Sequence, residues 1–257
     1  MPTSNLISSL PAELRNEIYK HIVVRKKPIN PWRRENKTLT NLLLTNTTIS
    51  HEASSQLYGN NCFDLIPLNK ELVPEFLGAI GMVNASHLQH IRICFPGLRY
   101  FENEVSLEET SLHTLEKIQA NCTNLKSITT NLSSTNFMES QLDSFDSPAV
   151  CDWVLTLVAA HFGAIESLQE VVLELFEDDP NLYTRRKMRS LGWKLKIMSP
   201  MDDEWDHYTS WDEPEDDYYF HDEDYLYGED YLYDEDYLYD NDHFYDDDSD
   251  FWRRAAD

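Results

Sequence analysis

The chain has 257 residues, of which 41% are hydrophobic and 26% charged, and its formal net charge is −25. This length fits one large domain or two small ones. The sequence has no apolar run near the roughly 18 residues of a membrane span and no secretory signal pattern, so we expect a cytoplasmic or nuclear protein without a membrane partner.

The negative charge is concentrated at the C-terminal end. Residues 201–257 hold 24 of the 46 acidic residues and two of the 21 basic residues, so this segment carries −22 and the preceding 200 residues carry −3. Self-repulsion and the scarcity of aliphatic side chains predict a disordered acidic tail there. The first 200 residues can bury about 70% of their unfolded surface, which predicts a stable folded body.

Two helices are predicted in the first 60 residues. Pro11 suits the first turn of a helix, and Leu14, Ile18 and Ile22 then recur at four-residue steps, which indicates an amphipathic helix of about three turns. A second helix is predicted over residues 38–58, ending near Gly59, although residues 46–48 are weak helix formers.

The following 140 residues alternate between helical and strand patterns. A short strand is predicted at residues 62–66, and longer strand patterns lie at residues 90–95, 127–130, 170–175 and 193–197. Helical patterns lie at residues 70–80, 107–120, 148–162 and 182–190. This alternation predicts an α/β fold with a largely parallel sheet.

Three of the strand patterns open with the same motif, a leucine followed three residues later by an aliphatic residue. The leucines are Leu88, Leu125 and Leu168, spaced by 37 and 43 residues. These steps suit a stack of strand, loop and helix units, so the prediction is either an irregular leucine-rich-repeat-like solenoid or an ordinary open α/β sheet.

The acidic tail contains a six-residue repeat, EDYLYG followed by two copies of EDYLYD, at residues 223–240. In an extended chain the even period places the tyrosines of every repeat on one side. The tyrosines predicted to contact a partner are Tyr225, Tyr227, Tyr231, Tyr233, Tyr237 and Tyr239.

Three motifs in the first 97 residues resemble those of a large group of uncharacterised fungal F-box-like proteins. They are LPAELRNEIY at residues 10–19, ISHEA at 49–53 with LYGNNCF at 57–63, and FLGAIGMVN at 76–84. The chain departs from the group at Thr47 and Thr48, where Arg-Gln is common in the group.

The resemblance implies an F-box-like helical region at residues 1–60 and a repeat region of alternating strands and helices at residues 61–200, packed as one body. In F-box proteins the first helix docks on a Skp-type adaptor of a cullin-type ubiquitin ligase, and the repeat region captures substrate. The residues that would contact the adaptor are Leu10, Pro11, Leu14 and Ile18. The alternative is that these side chains pack against the second helix as core.

Enzyme chemistry is not indicated. The four cysteines lie about 30 residues apart without a CxxC pair, so they predict buried thiols and neither a zinc site nor a disulfide framework. The sequence shows no nucleophile motif, phosphate-binding loop or metalloprotease motif, so we expect no catalytic, metal or cofactor site.

The polyanionic tail would repel nucleic acid and favour basic proteins such as histones, with its tyrosines adding contact area. The alternative is a solubilising spacer.

Overall fold

The computed structural model describes residues 9–33, 39, 42–66, 72–101, 104–145, 147–176 and 182–198. The predicted tail, residues 201–257, therefore lies outside the described residues. Within the described residues the fold is mixed α/β, with seven helices and a mostly parallel sheet, as the alternating pattern predicted.

The helices in chain order are α1 (Ala12–Val23), α2 (Thr47–Asn60), α3 (Leu72–His87), α4 (Glu109–Asn121), α5 (Leu132–Asp143), α6 (Pro148–Gly163) and α7 (Leu182–Ser190). The strands are β1 (Cys62–Asp64), β2 (His90–Ile93), β3 (Leu98–Phe101), β4 (Glu104–Leu107), β5 (Ser127–Thr130), β6 (Glu170–Phe176) and β7 (Lys194–Met198).

Five strands form one parallel sheet in the order β1, β2, β5, β6, β7, which is also their order along the chain. The repeated leucine motif is explained by the register, because Ile91, Ile128 and Val171 are direct neighbours on three adjacent strands. Leu88 and Leu125, which open the first two units, are fully buried. The spacing of 37 and 43 residues is therefore the length of chain that leaves one strand and returns beside it.

The second helix begins nine residues later than predicted. The side chain of Asn46 accepts a hydrogen bond of 2.9 Å from the backbone N–H of Ile49, which caps the first turn and makes Thr47 the first helical residue. Residues 46–48, which were predicted to be a weak stretch inside a longer helix, are therefore the beginning of α2. Before Asn46, residues 42–44 form a turn and residue 45 a bend, where the sequence predicted helix.

One asparagine joins the ends of the first two helices. Asn61 is buried, and its Nδ2 donates to the carbonyl oxygens of Val23 at 3.0 Å and Leu57 at 2.7 Å. Its Oδ1 accepts from the backbone N–H of Arg25 at 2.7 Å. Next to it, Ile29 forms a parallel bridge with Phe63 of β1. A single core then runs from Tyr19 to Trp193, so α1 and α2 share their packing with the sheet.

The sequence patterns missed two structural units and one break. β3 and β4 form an antiparallel hairpin, and α5 lies in a segment predicted as connection. α3 extends to His87, beyond the predicted residue 80, with a break at Gly81, whose φ of 75° is in the left-handed region that glycine adopts readily.

All four cysteines lie in the described part of the chain and remain thiols. Cys122 and Cys151 are buried, whereas Cys62 and Cys94 are half-buried. Burial raises the pKa of Cys122 to about 12, so this thiol stays protonated at neutral pH.

Candidate interaction surfaces

Apolar side chains line the outer side of α1 and the residues just before it. Leu10, Pro11, Leu14, Ile18 and Ile22 are called here the helix 1 ridge. Leu14 is 53% exposed and Ile22 is 42% exposed, while Pro11 is exposed and Leu10 and Ile18 are half-buried. The ridge therefore faces solvent along most of its length.

The buried face of α1 is different from the face that the four-residue spacing indicated. Tyr19 and Val23 are fully buried in the core, whereas Leu14 and Ile22 are not. The alternative prediction was that these residues pack against α2 as core. For Leu14 this is wrong, because its side chain is exposed. Leu14 occupies the outer face of the first helix.

An ion pair with matched hydrogen bonds fixes this orientation. Arg15 Nε donates to Glu52 Oε2 of α2 at 2.8 Å, and Arg15 Nη2 pairs with Glu52 Oε1. Tyr19 Oη donates to Glu52 Oε2 at 3.1 Å. The remaining nitrogen, Arg15 Nη1, donates to the carbonyl oxygen of Leu10 at 2.7 Å, so the same guanidinium holds the segment before α1.

The electrostatics of Glu52 follow from these contacts. The hydrogen bonds from Arg15 hold the pKa of Glu52 below its usual range, despite the opposing effect of burial. The carboxylate is therefore ionised at neutral pH and keeps α1 rotated with the helix 1 ridge outward. Neither Arg15 nor Glu52 was singled out from the sequence as a functional residue, although both lie in the motifs that carry the resemblance.

The outer face of the parallel sheet is polar. Aliphatic residues such as Ile91, Ile128 and Leu173 are buried on one face, and most of the alternate positions carry polar side chains. A row of charged residues crosses this face and is called here the charge ladder. Its members are Asp64, Arg92, Glu174 and Lys196.

The charge ladder is a paired network. Arg92 Nη1 lies 3.5 Å from Asp64 Oδ2, and Arg92 Nη2 donates to Glu174 Oε2 at 2.8 Å. Lys196 Nζ completes it at 3.3 Å from Glu174 Oε1. Burial raises the pKa of Asp64 in spite of the opposing Arg92. With two acids and two bases in contact, the ladder gives this face a fixed polar pattern of little net charge.

A third surface lies at the end of the described chain. Residues 182–198, which comprise α7 and β7, contain six basic residues and no acidic residue. This segment is called here the basic unit. Arg186 and Arg189 on α7 and Lys194 and Lys196 on β7 are exposed. The preceding 181 residues contain 22 acidic and 13 basic residues, so the basic unit stands out against an acidic body.

No group of three or more His, Cys, Asp or Glu in the described part could hold a metal ion. No helix among the described residues is both long and apolar enough to cross a membrane.

The structure describes one of the two predicted sets of contact residues and not the other. Leu10, Pro11, Leu14 and Ile18 lie together on or beside α1. The six tail tyrosines, Tyr225, Tyr227, Tyr231, Tyr233, Tyr237 and Tyr239, lie outside the described residues.

The described part of the chain is therefore a mixed α/β protein with a parallel sheet in chain order, an exposed apolar helix face and a basic C-terminal unit. Comparison with protein-family models, with curated proteins and with solved structures finds no match in any of the three.

Proposed function

We propose that the protein is a protein-interaction module that docks on a Skp-type adaptor through the helix 1 ridge. The observation that carries this proposal is that Leu14 and Ile22 are exposed on a helix whose rotation is fixed by Arg15 and Glu52. An amphipathic helix normally buries its apolar face, and an outward apolar face held in place favours a partner.

The choice of partner rests on the resemblance to fungal F-box-like proteins, in which the helix led by Leu-Pro contacts the adaptor. In this proposal the parallel sheet takes the role of the substrate-binding repeat region of a cullin-type ubiquitin ligase adaptor. Its strands stack in chain order, which favours the leucine-rich-repeat-like interpretation over an open sheet whose strand order reverses.

The test is binding of the full chain to a purified Skp-type adaptor. We expect Leu14→Glu to weaken binding at least about tenfold, because it replaces burial worth roughly 1.5–3 kcal/mol with the burial of a charge. Leu14 is exposed, so this variant keeps its fold.

Met82→Glu is the matched control. It places the same charge on an exposed apolar position of α3, away from the ridge, and should bind as the wild type does. Equal binding by wild type and Leu14→Glu, or no binding by either, would reject the adaptor function.

The composition of residues 201–257 favours a second candidate function, in which the polyanionic tail binds basic proteins such as histones. Its charge of −22 gives fast, salt-sensitive attraction to a basic surface, and tyrosines add contacts that salt does not screen.

The test is a titration of residues 201–257 with a histone. Affinity should fall as salt rises and fall further when the six tyrosines at 225, 227, 231, 233, 237 and 239 become serine. Undiminished binding by the serine variant would show that the repeat supplies charge alone.

A further inference from the structure

The basic unit presents an incomplete sheet edge. Among the described residues β7 is the last strand of the sheet and is hydrogen-bonded to β6 on one side. Ile197 is 43% exposed, although its register partner Leu175 on β6 is fully buried. A further strand beside β7 would cover Ile197 and pair the outer backbone groups of β7.

The charge of this edge specifies an acidic occupant. Arg186 and Arg189 make no ion pair within the described residues. Lys194 and Lys196 are paired with Glu170 and Glu174 on one side and remain largely exposed on the other. An added strand rich in Asp and Glu would lie beside Lys194 and Lys196, and the exposed arginines of the preceding helix would add to the positive charge of this region.

The repeat at residues 223–240 has the matching pattern. In an extended chain, Glu and Tyr alternate onto one face and Asp and Leu onto the other, because the period of six is even. Along β7, Lys194 and Lys196 point to one face and Leu195 and Ile197 to the other. The leucine face therefore suits Ile197 when the glutamates lie beside the lysines.

The chain can make this contact with itself. Between Met198 and Glu223 lie 24 residues, which span up to about 80 Å when extended, whereas β7 is about 17 Å long. The segment can thus return to β7 in either direction. A tether of this kind raises the effective concentration to the millimolar range, well above that of most external partners.

We propose that the repeat segment, residues 223–240 of the same chain, adds as an edge strand to β7 and covers the basic unit. This contact goes beyond the proposed adaptor and histone functions. A basic protein that binds the tail would then have to compete with the basic unit of the same chain for the repeat segment.

The test compares hydrogen exchange of the β7 amides in full-length variants. Leu226→Pro, Tyr231→Pro and Leu238→Pro together keep the charge of the tail and place proline at both backbone orientations, so that at least one lost N–H would face β7. We expect the amides of β7 to exchange at least about tenfold faster in this variant, and a matched variant with alanine at the same three positions to show a smaller effect.

A second full-length variant tests the charge. Arg186→Glu with Arg189→Glu should reduce carbodiimide cross-links between the β7 lysines and Glu223, Glu229 or Glu235 several-fold. Arg99→Glu with Lys117→Glu makes the same change in charge on β3 and α4 and should leave the cross-links unchanged.

Three results would overturn the proposal. The first is that the β7 amides exchange at equal rates in wild type and in the proline variant. The second is that no cross-link forms between β7 and the repeat at low salt. The third is that, in a mixture of isotopically light and heavy protein, the cross-links join one light chain to one heavy chain. The last result would assign the contact to a second copy. None of these measurements depends on adaptor or histone binding, so the proposed functions stand or fall separately.

Discussion

Glu52 accepts three hydrogen bonds from α1, two from Arg15 and one from Tyr19. The pair is partly exposed, which limits the energy that the ion pair contributes. The ion pair nevertheless matters for the structure, because it determines which side of α1 packs against the core.

Replacing this carboxylate should destabilise the protein in a pH-dependent way. We expect Glu52→Gln to lower the free energy of unfolding at pH 7 by about 1 kcal/mol. The folded-state pKa of Glu52 is lowered by Arg15, so its stabilisation is present above the ordinary glutamate pKa of about 4.3. The difference between variant and wild type should shrink as the pH falls below that value.

Urea unfolding at pH 7, 5 and 3 measures this difference. Glu17→Gln is the control, because Glu17 pairs with Lys20 on the exposed surface of the same helix and should change stability less. A Glu52→Gln deficit that persists at pH 3 would contradict an origin in the ionised carboxylate.

At the scale of single residues, sequence patterns predicted the ridge but not its direction. Leu14, Ile18 and Ile22 are spaced by four residues, and so are Tyr19 and Val23, so spacing alone does not select the buried stripe. The selection comes from Arg15 and Tyr19 reaching Glu52, a contact across 37 and 33 residues. Such a long-range polar contact leaves no local signal.

At the scale of elements, α7 is held by a buried ion pair. Arg185 Nε lies 3.9 Å from Glu139 Oε1 of α5, and Arg185 Nη2 donates to the carbonyl oxygen of Phe176 at the end of β6 at 2.8 Å. Both side chains are nearly fully buried. The positions of Arg186 and Arg189 in the basic unit depend on this attachment.

Replacing the buried Arg185 should therefore lower the free energy of unfolding much more than replacing the exposed Arg186. We expect Arg185→Met to destabilise the protein by about 3 kcal/mol, because it removes both the ion pair with Glu139 and the hydrogen bond to Phe176 inside the protein. Arg186→Met changes the next, exposed residue and should stay within about 0.5 kcal/mol of wild type. Thermal or urea unfolding compares the two, and similar losses would contradict the assignment of Arg185 as the anchor.

The success of the sequence patterns differed among elements for physical reasons. α7 and β5 have the predicted bounds, and in β5 the predicted alternation is seen as burial of Ile128 and Thr130. α5 was missed because its sequence, LSSTNFMESQLD, is rich in residues that favour caps and turns, and its stability comes from packing against β6. The hairpin of β3 and β4 was missed because it interrupts the expected order of strand and helix.

At the scale of the whole molecule, one core closes within the described residues, from Tyr19 to Trp193. We therefore expect truncation after Pro200 to change the melting temperature by no more than a few degrees in differential scanning calorimetry. The edge contact proposed above includes attraction between the acidic repeat and the basic unit, so the change should be smaller at high salt. A large drop, or loss of a cooperative transition, would show that residues beyond Pro200 belong to the folded core.

The order of the strands in the sheet also bears on how the protein is made. From β2 onward, each strand of the parallel sheet pairs with a strand that precedes it in the chain, and none of these five strands inserts between two earlier ones. A ribosome releases the chain N-terminus first at about 5–20 residues per second, so each strand from β2 onward is synthesised after the strand on which it pairs. The sheet can grow by one unit at a time during synthesis, and the polyanionic segment emerges after it, when the basic surface is already in place.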